Sequence, residues 1–303
     1  MTFASRRAFS LVELLIVIVV FGIVLGALMK VIIGQQRFYR GTSEMVETQD
    51  NVRDAVDLLQ GELRGISPAQ GDIATAALSA TSIKFWKPIG AAVVCVIAAD
   101  RKSFTVPPLQ LTTNAGLTSW SSVPKQDDRV LVYDPWTSDA MGDDRWDQLT
   151  LEAAPTPNAA CPATTGLTTA DDVANTGYTF ALSSALGANV PAQGSAVRVL
   201  RQVKYSLYQA EDGRWYLGYQ ECPGNVCDAI QPVSGPYLPP STSGQSGLTL
   251  TYYDNAGTVT ATPTAVARID VTVRAATQSV MQIAGLAAAP HVDSLTASIS
   301  VRN

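Results

Sequence analysis

The densest group of side chains that could do chemistry lies in the stretch DPWTSDAMGDDRWD, residues 134–147. Carboxylate oxygens are ligands that calcium prefers in proteins, so an acidic loop of this kind is a candidate calcium site. Its spacing does not fit an EF-hand, and Gly142 is its one glycine. We therefore expect a solvated acidic loop and no cofactor. If calcium does bind here, the candidate ligands are Asp139, Asp143, Asp144 and Asp147.

Residue types that catalyse reactions at neutral pH are scarce elsewhere in the chain. It contains one histidine, His291, which follows a proline and is expected in a loop. No G-x-S-x-G, phosphate-loop or H-E-x-x-H pattern occurs. The net charge is −5 and the pI about 4.9, with lysine and arginine scattered, which argues against a nucleic-acid partner. We expect a protein that is not an enzyme.

The four cysteines, Cys95, Cys161, Cys222 and Cys227, are an even number, as in exported proteins with disulfide bonds. Turn residues separate the last two in CPGNVC, so a local bridge there is sterically reasonable and leaves Cys95 to pair with Cys161. Free buried thiols are an alternative. A zinc site is another, although only one pair is closely spaced.

A single carboxylate interrupts the apolar N-terminal segment. The run from Phe9 to Ile33 is 25 residues long, about 37 Å as a helix, and can cross a bilayer core of about 30 Å. Glu13 lies near its start, where a carboxylate in hydrocarbon is costly. A secretory signal peptide, a twin-arginine signal beginning at Ser5-Arg6-Arg7 and a simple membrane anchor all leave Glu13 unexplained.

The stretch Ala8-Phe9-Ser10-Leu11-Val12-Glu13-Leu14 resembles the class III prepilin signature of type IV pilins and type II secretion pseudopilins. The resemblance implies that prepilin peptidase cuts between Ala8 and Phe9, removing residues 1–8 as a leader, and that the new terminus of Phe9 is methylated. The family usually has glycine where this chain has Ala8.

The resemblance also implies a role for Glu13 in assembly. Its carboxylate would pair with the Phe9 amine of a neighbouring subunit, and a buried ion pair of this kind can specify how subunits fit together. The flanking charges disagree with the implied orientation, because Lys30, Arg37 and Arg40 outnumber Arg6 and Arg7. The signature, supported by cysteine usage, places the C-terminal part in the periplasm.

Beyond the membrane segment, residues 34–66 are predicted to continue as an amphipathic helix. Gly34 and residues 41–43 are candidate sites for a bend, and Gly65 with Ser67-Pro68 is expected to end the helix. Its apolar face comprises Met45, Val52, Val56, Leu59, Leu63 and Ile66.

Residues 67–303 are predicted to form a β-rich head in an α+β fold, with an antiparallel sheet behind the helix. Ala196–Gln209 and Arg214–Gln220 are predicted to form one hairpin, and Leu248–Tyr253 and Thr258–Ala261 a second. In the last strand, Leu295, Ala297, Ile299 and Val301 are expected to face inward. Further strands are predicted at 82–86, 92–97, 129–133, 148–151, 267–275 and 294–301, and loops at 107–127, 154–176 and 228–247.

Later motifs narrow the resemblance. YYDNAG at 252–257, ARIDVTVRA at 267–275 and the ending SISVRN are similar to W-type minor pilins and to J-type pseudopilins of type II secretion. The resemblance implies a single-pass protein of the bacterial inner membrane that joins other pilins or pseudopilins in a fibre. Its large size favours a minor subunit at the tip. A J-type pseudopilin or a tip adhesin is the alternative. Trp136 and Trp146 would either cover the core or lie at a subunit contact.

Overall fold

In the computed structural model, the described residues are 11–74, 78–136, 144–159, 161–174, 176–281 and 289–302. Compact packing divides the chain into two units. The N-terminal unit comprises residues 1–50 and 276–293, and the head unit comprises 51–275 and 294–303. One long helix and several antiparallel sheets make up the described residues, which confirms the predicted α+β class.

Helix α1 runs from Leu11 to Leu63 without interruption, through the positions where a bend was considered. Its first half contains apolar helix formers, and its last turns bury the predicted apolar face: Val52 is 1% exposed, and Leu59 and Leu63 are fully buried. The helix ends three residues before the predicted Ile66, because glycine at 65 and proline at 68 disfavour further helical turns.

Strands follow the helix throughout the head. They are β1 Ser82–Val93, β2 Val96–Ile97, β3 Ser103–Val106, β4 Ser119–Trp120, β5 Arg129–Asp134, β6 Arg145–Thr150, β7 Thr156–Ala159, β8 Gly177–Ala181, β9 Ala196–Gln209, β10 Trp215–Glu221, β11 Gln231–Tyr237, β12 Leu248–Tyr253, β13 Arg268–Met281 and β14 Ala289–Ser300.

Within the described residues, strand β9 is the centre of a seven-stranded sheet. It pairs antiparallel with β1, with β5 and with β10, and the predicted β9–β10 hairpin is present, with Trp215 opposite Gln209. The other strands of this sheet are β4, β6 and β11. Strand β9 contributes to two cores along its length: Val197 and Val199 near its start pack in one, and Val203, Tyr205 and Leu207 toward its end pack in the other.

Two smaller sheets accompany it among the described residues, with strand orders β12-β13-β14 and β2-β3-β8-β7. One core of the head unit joins the end of α1 to β1, β9, β12 and β13, and a second joins β1, β3, β5, β8 and β9. The fold therefore places the amphipathic part of α1, beyond Asn51, against sheet side chains of its own unit.

The predicted second hairpin is wrong in its second strand. Strand β12 pairs with β13, with Tyr252 opposite Ile269. Thr258–Ala261 forms the turn side of the hairpin, through a bridge from Val259 to Tyr253 and hydrogen bonds from the Asp254 N–H to Thr258 O and from the Thr260 N–H to Tyr252 O, but it does not become a strand. Ile269, Val271 and Val273 of β13 are buried in the core, whereas Val259 is 65% exposed and gains no such stabilisation.

The predicted single strand over 92–97 is also wrong. Strand β1 continues to Val93, and the chain then changes partners: the N–H of Val94 donates to Ser195 O, and the N–H of Cys95 donates to Thr105 O. The backbone passes here from the seven-stranded to the four-stranded sheet. Strands β3 and β8 were not predicted, and the predicted loops contain β4, β7 and β11, whose short or proline-containing sequences carry little strand signal.

The inward pattern of the last strand holds only near its end. Ile299 and Val301 are buried, but Leu295 is 38% exposed and does not face a core. Strand β14 lies at the outside of its sheet, so its first part extends beyond the residues that could cover it.

Candidate functional site

Glu13 lies on α1 with its side chain exposed, between apolar neighbours that are exposed as well. It is the one charged residue from Leu11 to Met29. No ion pair to Glu13 is formed within the part of the chain that the structure describes. Ala8 and Phe9, the predicted processing residues, lie outside the described residues.

The apolar surface around Glu13 is extensive. Large apolar side chains from Leu11 to Ile33 are between 45% and 79% exposed. An exposed apolar surface of this size marks contact with lipid or with another protein. By length and composition, α1 can cross a membrane, since its most apolar 18-residue window has a mean hydropathy of 3.0 and none of that window is buried.

The acidic stretch forms an ion-paired cluster rather than an open ring of carboxylates. Arg145 Nε lies 2.9 Å from Asp134 Oδ2, and its guanidinium stacks over Trp136 at 3.3 Å from the ring centre. Asp147 Oδ2 accepts the Gly187 N–H at 2.6 Å. Asp134 and Asp147 therefore stabilise the local structure, Asp134 through Arg145 and Asp147 through Gly187.

Only two of the four calcium candidates, Asp144 and Asp147, lie within the described residues. Asp139 and Asp143 lie outside the described residues, Asp144 is exposed, and Asp147 is engaged with Gly187. Among the described residues, no group of three or more histidine, cysteine or acidic side chains could hold a metal. Of the two tryptophans, Trp136 is 40% exposed, and Trp146 packs edge-on against Tyr133.

The cysteines pair as Cys95–Cys161 and Cys222–Cys227, the two pairs expected from the sequence. His291, which was expected in a loop, lies instead on strand β14; it is half-buried, and its backbone N–H donates to Thr277 Oγ1 at 2.9 Å, within the N-terminal unit.

Arg201 was not predicted as a site residue; it is 2% exposed and lies on β9. Its Nε and Nη2 donate to Asp128 at 3.0 and 2.7 Å. Its Nη1 donates to Ser122 Oγ at 2.7 Å and to Glu221 Oε1 at 3.2 Å, and Nη2 also donates to Val123 O at 2.8 Å. An arginine within an apolar strand was the available signal, and it marks a structural clamp that joins β9 to the loop between β4 and β5 and to Glu221 at the end of β10.

A second unpredicted contact involves Glu44 of α1, within the N-terminal unit. Its two carboxylate oxygens accept the Ser279 backbone N–H at 2.8 Å and the Ser279 hydroxyl at 2.6 Å. These hydrogen bonds lower the pKa of Glu44 below its ordinary value. The contact ties the end of β13 to the helix.

Asp72 is a buried carboxylate in the turn after α1. One oxygen accepts the Ser67 N–H at 2.7 Å, whereas Oδ1 has no hydrogen-bond partner among the described residues. Desolvation raises the pKa of Asp72, opposed by the Ser67 hydrogen bond and by Arg198 and Arg129. The Asp72 carboxylate therefore has a structural role in stabilising this turn.

Comparison with known proteins gives one match. The family model described as the prokaryotic N-terminal methylation motif matches residues 4–29. No curated protein matches the chain. No solved structure matches it either. The match covers the apolar first half of α1, its Glu13 and the residues before it. The chain therefore carries the class III prepilin signal, and its N-terminal segment is consistent with the type IV pilin-like family.

Proposed function

We propose that the chain is a minor pilin, a structural subunit at the tip of a type IV pilus. The observation that carries the proposal is the methylation motif at residues 4–29 on an exposed apolar helix whose one charge up to Met29 is Glu13. Exposed apolar surface on all sides of a helix suits a segment that lies first in lipid and later among neighbouring helices.

Processing would create the partner that Glu13 lacks. Cleavage between Ala8 and Phe9 by prepilin peptidase exposes an amine one helical turn before Glu13. In a fibre, the carboxylate of one subunit would meet the Phe9 amine of the next. An ion pair completed only on assembly favours one register between subunits, because any other register leaves two charges buried without partners.

The proposed location follows from the same signal. The basic leader stays on the cytoplasmic side, residues 9–33 span the inner membrane, and the head lies in the periplasm until the subunit joins a fibre with other pilins. The two disulfides support export, because disulfides form in oxidising compartments. The proposal includes no catalytic step, cofactor or nucleic acid.

A J-type pseudopilin of type II secretion would have the same signal and the same membrane helix. The motifs YYDNAG and ARIDVTVRA are similar to both subtypes, and chain length favours a minor subunit in either system. The genes that surround this one discriminate between them, since pilus and secretion operons encode different partners.

Mass spectrometry of the mature N-terminus tests the processing step. We expect the first residue to be Phe9 with a methylated amine. A terminus near Ala27 would instead identify a secretory signal peptide and would overturn the proposal.

Replacing Glu13 by glutamine tests the assembly step. We expect Glu13→Gln to lower incorporation into sheared fibres about tenfold, equivalent to about 1.4 kcal/mol, because the Phe9 amine of the neighbour loses its partner. Cleavage should continue normally. The matched control is Glu47→Gln, an exposed glutamate farther along the same helix. Equal incorporation of the two variants would refute the pairing.

A further inference from the structure

Basic and aromatic side chains occur together on α1 near the end of its apolar run and just beyond it. We call Lys30, Arg37, Phe38, Tyr39 and Arg40 the basic collar. All five are exposed, with Phe38 at 70% and Tyr39 at 71%, and the two rings pack edge-on with centres 6.1 Å apart. All lie within the N-terminal unit.

The three cationic residues share one side of the helix. At about 100° per residue, Lys30 and Arg37 lie about 20° apart, and Arg37 and Arg40 about 60° apart. The helix is continuous through these positions, so this angular relation holds along the whole collar. Three positive charges therefore form one stripe.

The stripe coincides with the depth of lipid headgroups when the helix is inserted. The apolar run ends at Ile33, which places Arg37 about 6 Å and Arg40 about 10 Å beyond it along the axis. A headgroup layer is roughly 5–8 Å thick. Lys30 lies about 5 Å inside the run, and its long side chain can reach the same layer. Phe38 and Tyr39 occupy the depth where aromatic residues anchor membrane helices.

The collar charges are not neutralised within the described part of the chain, where Lys30, Arg37 and Arg40 form no ion pair. Glu44, one turn beyond Arg40, offsets part of the Arg40 charge, while its carboxylate oxygens accept hydrogen bonds from Ser279. Lys30 and Arg37 have no carboxylate partner among the described residues, so the stripe as a whole needs an anion from another molecule.

We propose that the basic collar binds the phosphate groups of anionic phospholipids and so holds the subunit at a fixed depth in the membrane before assembly. This inference rests on the membrane insertion in the proposed function. The three charges supply the electrostatic attraction, and the aromatic pair fixes the depth. Phosphate binding would then explain the excess of positive charge on this flank, which disagrees with the positive-inside rule.

Native mass spectrometry of the full chain, extracted from membranes in detergent and titrated with phosphatidylglycerol, tests the proposal. We expect wild-type chains to retain phosphatidylglycerol in preference to phosphatidylcholine with the same acyl chains. Arg37→Gln should weaken apparent affinity about fivefold, and Arg37→Gln with Arg40→Gln about 30-fold. Arg37→Lys with Arg40→Lys should keep most of the affinity, because the charges remain.

The matched control is Arg53→Gln with Arg64→Gln, two exposed arginines of the head unit outside the collar. This double variant should bind like the wild type. Equal affinity of the collar and control variants, or no preference for phosphatidylglycerol, would overturn the proposal. Loss of fibre incorporation by the collar variant with unchanged lipid binding would also overturn it, by assigning the arginines to a neighbouring subunit. A chain that leaves the membrane fraction without detergent would instead contradict the proposed insertion itself.

Discussion

At the scale of single residues, Arg201 and Glu13 have opposite surroundings. Arg201 is 2% exposed, and Asp128, Ser122, Glu221 and a backbone carbonyl accept its hydrogen bonds inside the head unit. Glu13 is exposed and has no ion-pair partner in the described residues. A charge satisfied internally is structural, whereas a charge in an apolar surface without a partner requires another molecule. This contrast supports a structural role for Arg201 and an assembly role for Glu13.

The buried charge of Arg201 gives a stability prediction. We expect Arg201→Met to lower the free energy of unfolding of the head by about 3–5 kcal/mol, because Asp128 remains buried without its main cation. Chemical denaturation of the full chain in detergent, followed by tryptophan fluorescence, measures the loss.

A second variant and a control separate the ion pair from packing. Arg201→Met combined with Asp128→Leu should recover part of the lost stability, since the orphaned carboxylate is removed. Lys204→Gln, on the same strand and half-exposed, should change stability by less than about 1 kcal/mol. If Arg201→Met lowered the free energy of unfolding by no more than Lys204→Gln does, the buried network would contribute little to stability.

At the scale of secondary-structure elements, local pattern predicted some elements well and others poorly. The long helix and the β9–β10 hairpin were predictable because apolar periodicity and an Asp-Gly turn encode them locally. The pairing of β12 with β13 was not, because the strands are separated by residues 254–267 and are brought together by side chains that fill a common core. Strands β3 and β8 were missed because they are short and pair with each other across a long stretch of sequence.

The contact between α1 and the end of β13 could not be predicted either, since nothing in the sequence relates Glu44 to Ser279. We expect Glu44→Ala to raise hydrogen-exchange rates of the amides from Ala276 to Val280 several-fold, because both hydrogen bonds to Ser279 are lost. Hydrogen-exchange mass spectrometry of the full chain at neutral pH measures this effect.

Its control is Glu47→Ala, an exposed position on the same helix. It should leave those amides unchanged, and an equal effect in both variants would show that helix composition, not the contact, protects the strand. Because the hydrogen bonds lower the pKa of Glu44, the contact is fully present above the ordinary pKa of a glutamate. It is lost as pH falls through the lowered value.

At the scale of the whole molecule, the sequence predicted the membrane helix, its signal and the two disulfide pairs, since each depends on residues close together or few in number. It could not predict the ion-paired clusters around Arg201 and Arg145, whose members are brought together only by sheet pairing. The acidic stretch illustrates the reason. Its carboxylates are alike in sequence, but Arg145 Nε of β6 lies 2.9 Å from Asp134 and 3.8 Å from Asp147, and only Asp147 accepts the Gly187 N–H.

The two disulfides should contribute unequally to the stability of the head. Cys95–Cys161 closes a loop with a sequence separation of 66, while Cys222–Cys227 spans only 5. From the loss of chain entropy in the unfolded state, we expect Cys95→Ala with Cys161→Ala to cost about 4 kcal/mol, and Cys222→Ala with Cys227→Ala about 2 kcal/mol. Denaturant midpoints of the two double variants, compared with the wild type in the same detergent, measure the difference.

The larger loop also begins where the chain passes from one sheet to another, so loss of the Cys95–Cys161 bond should act on the four-stranded sheet as well as on the unfolded chain. An equal or reversed order would mean that the short CPGNVC bridge stabilises the head through native contacts near Glu221 and not through loop closure.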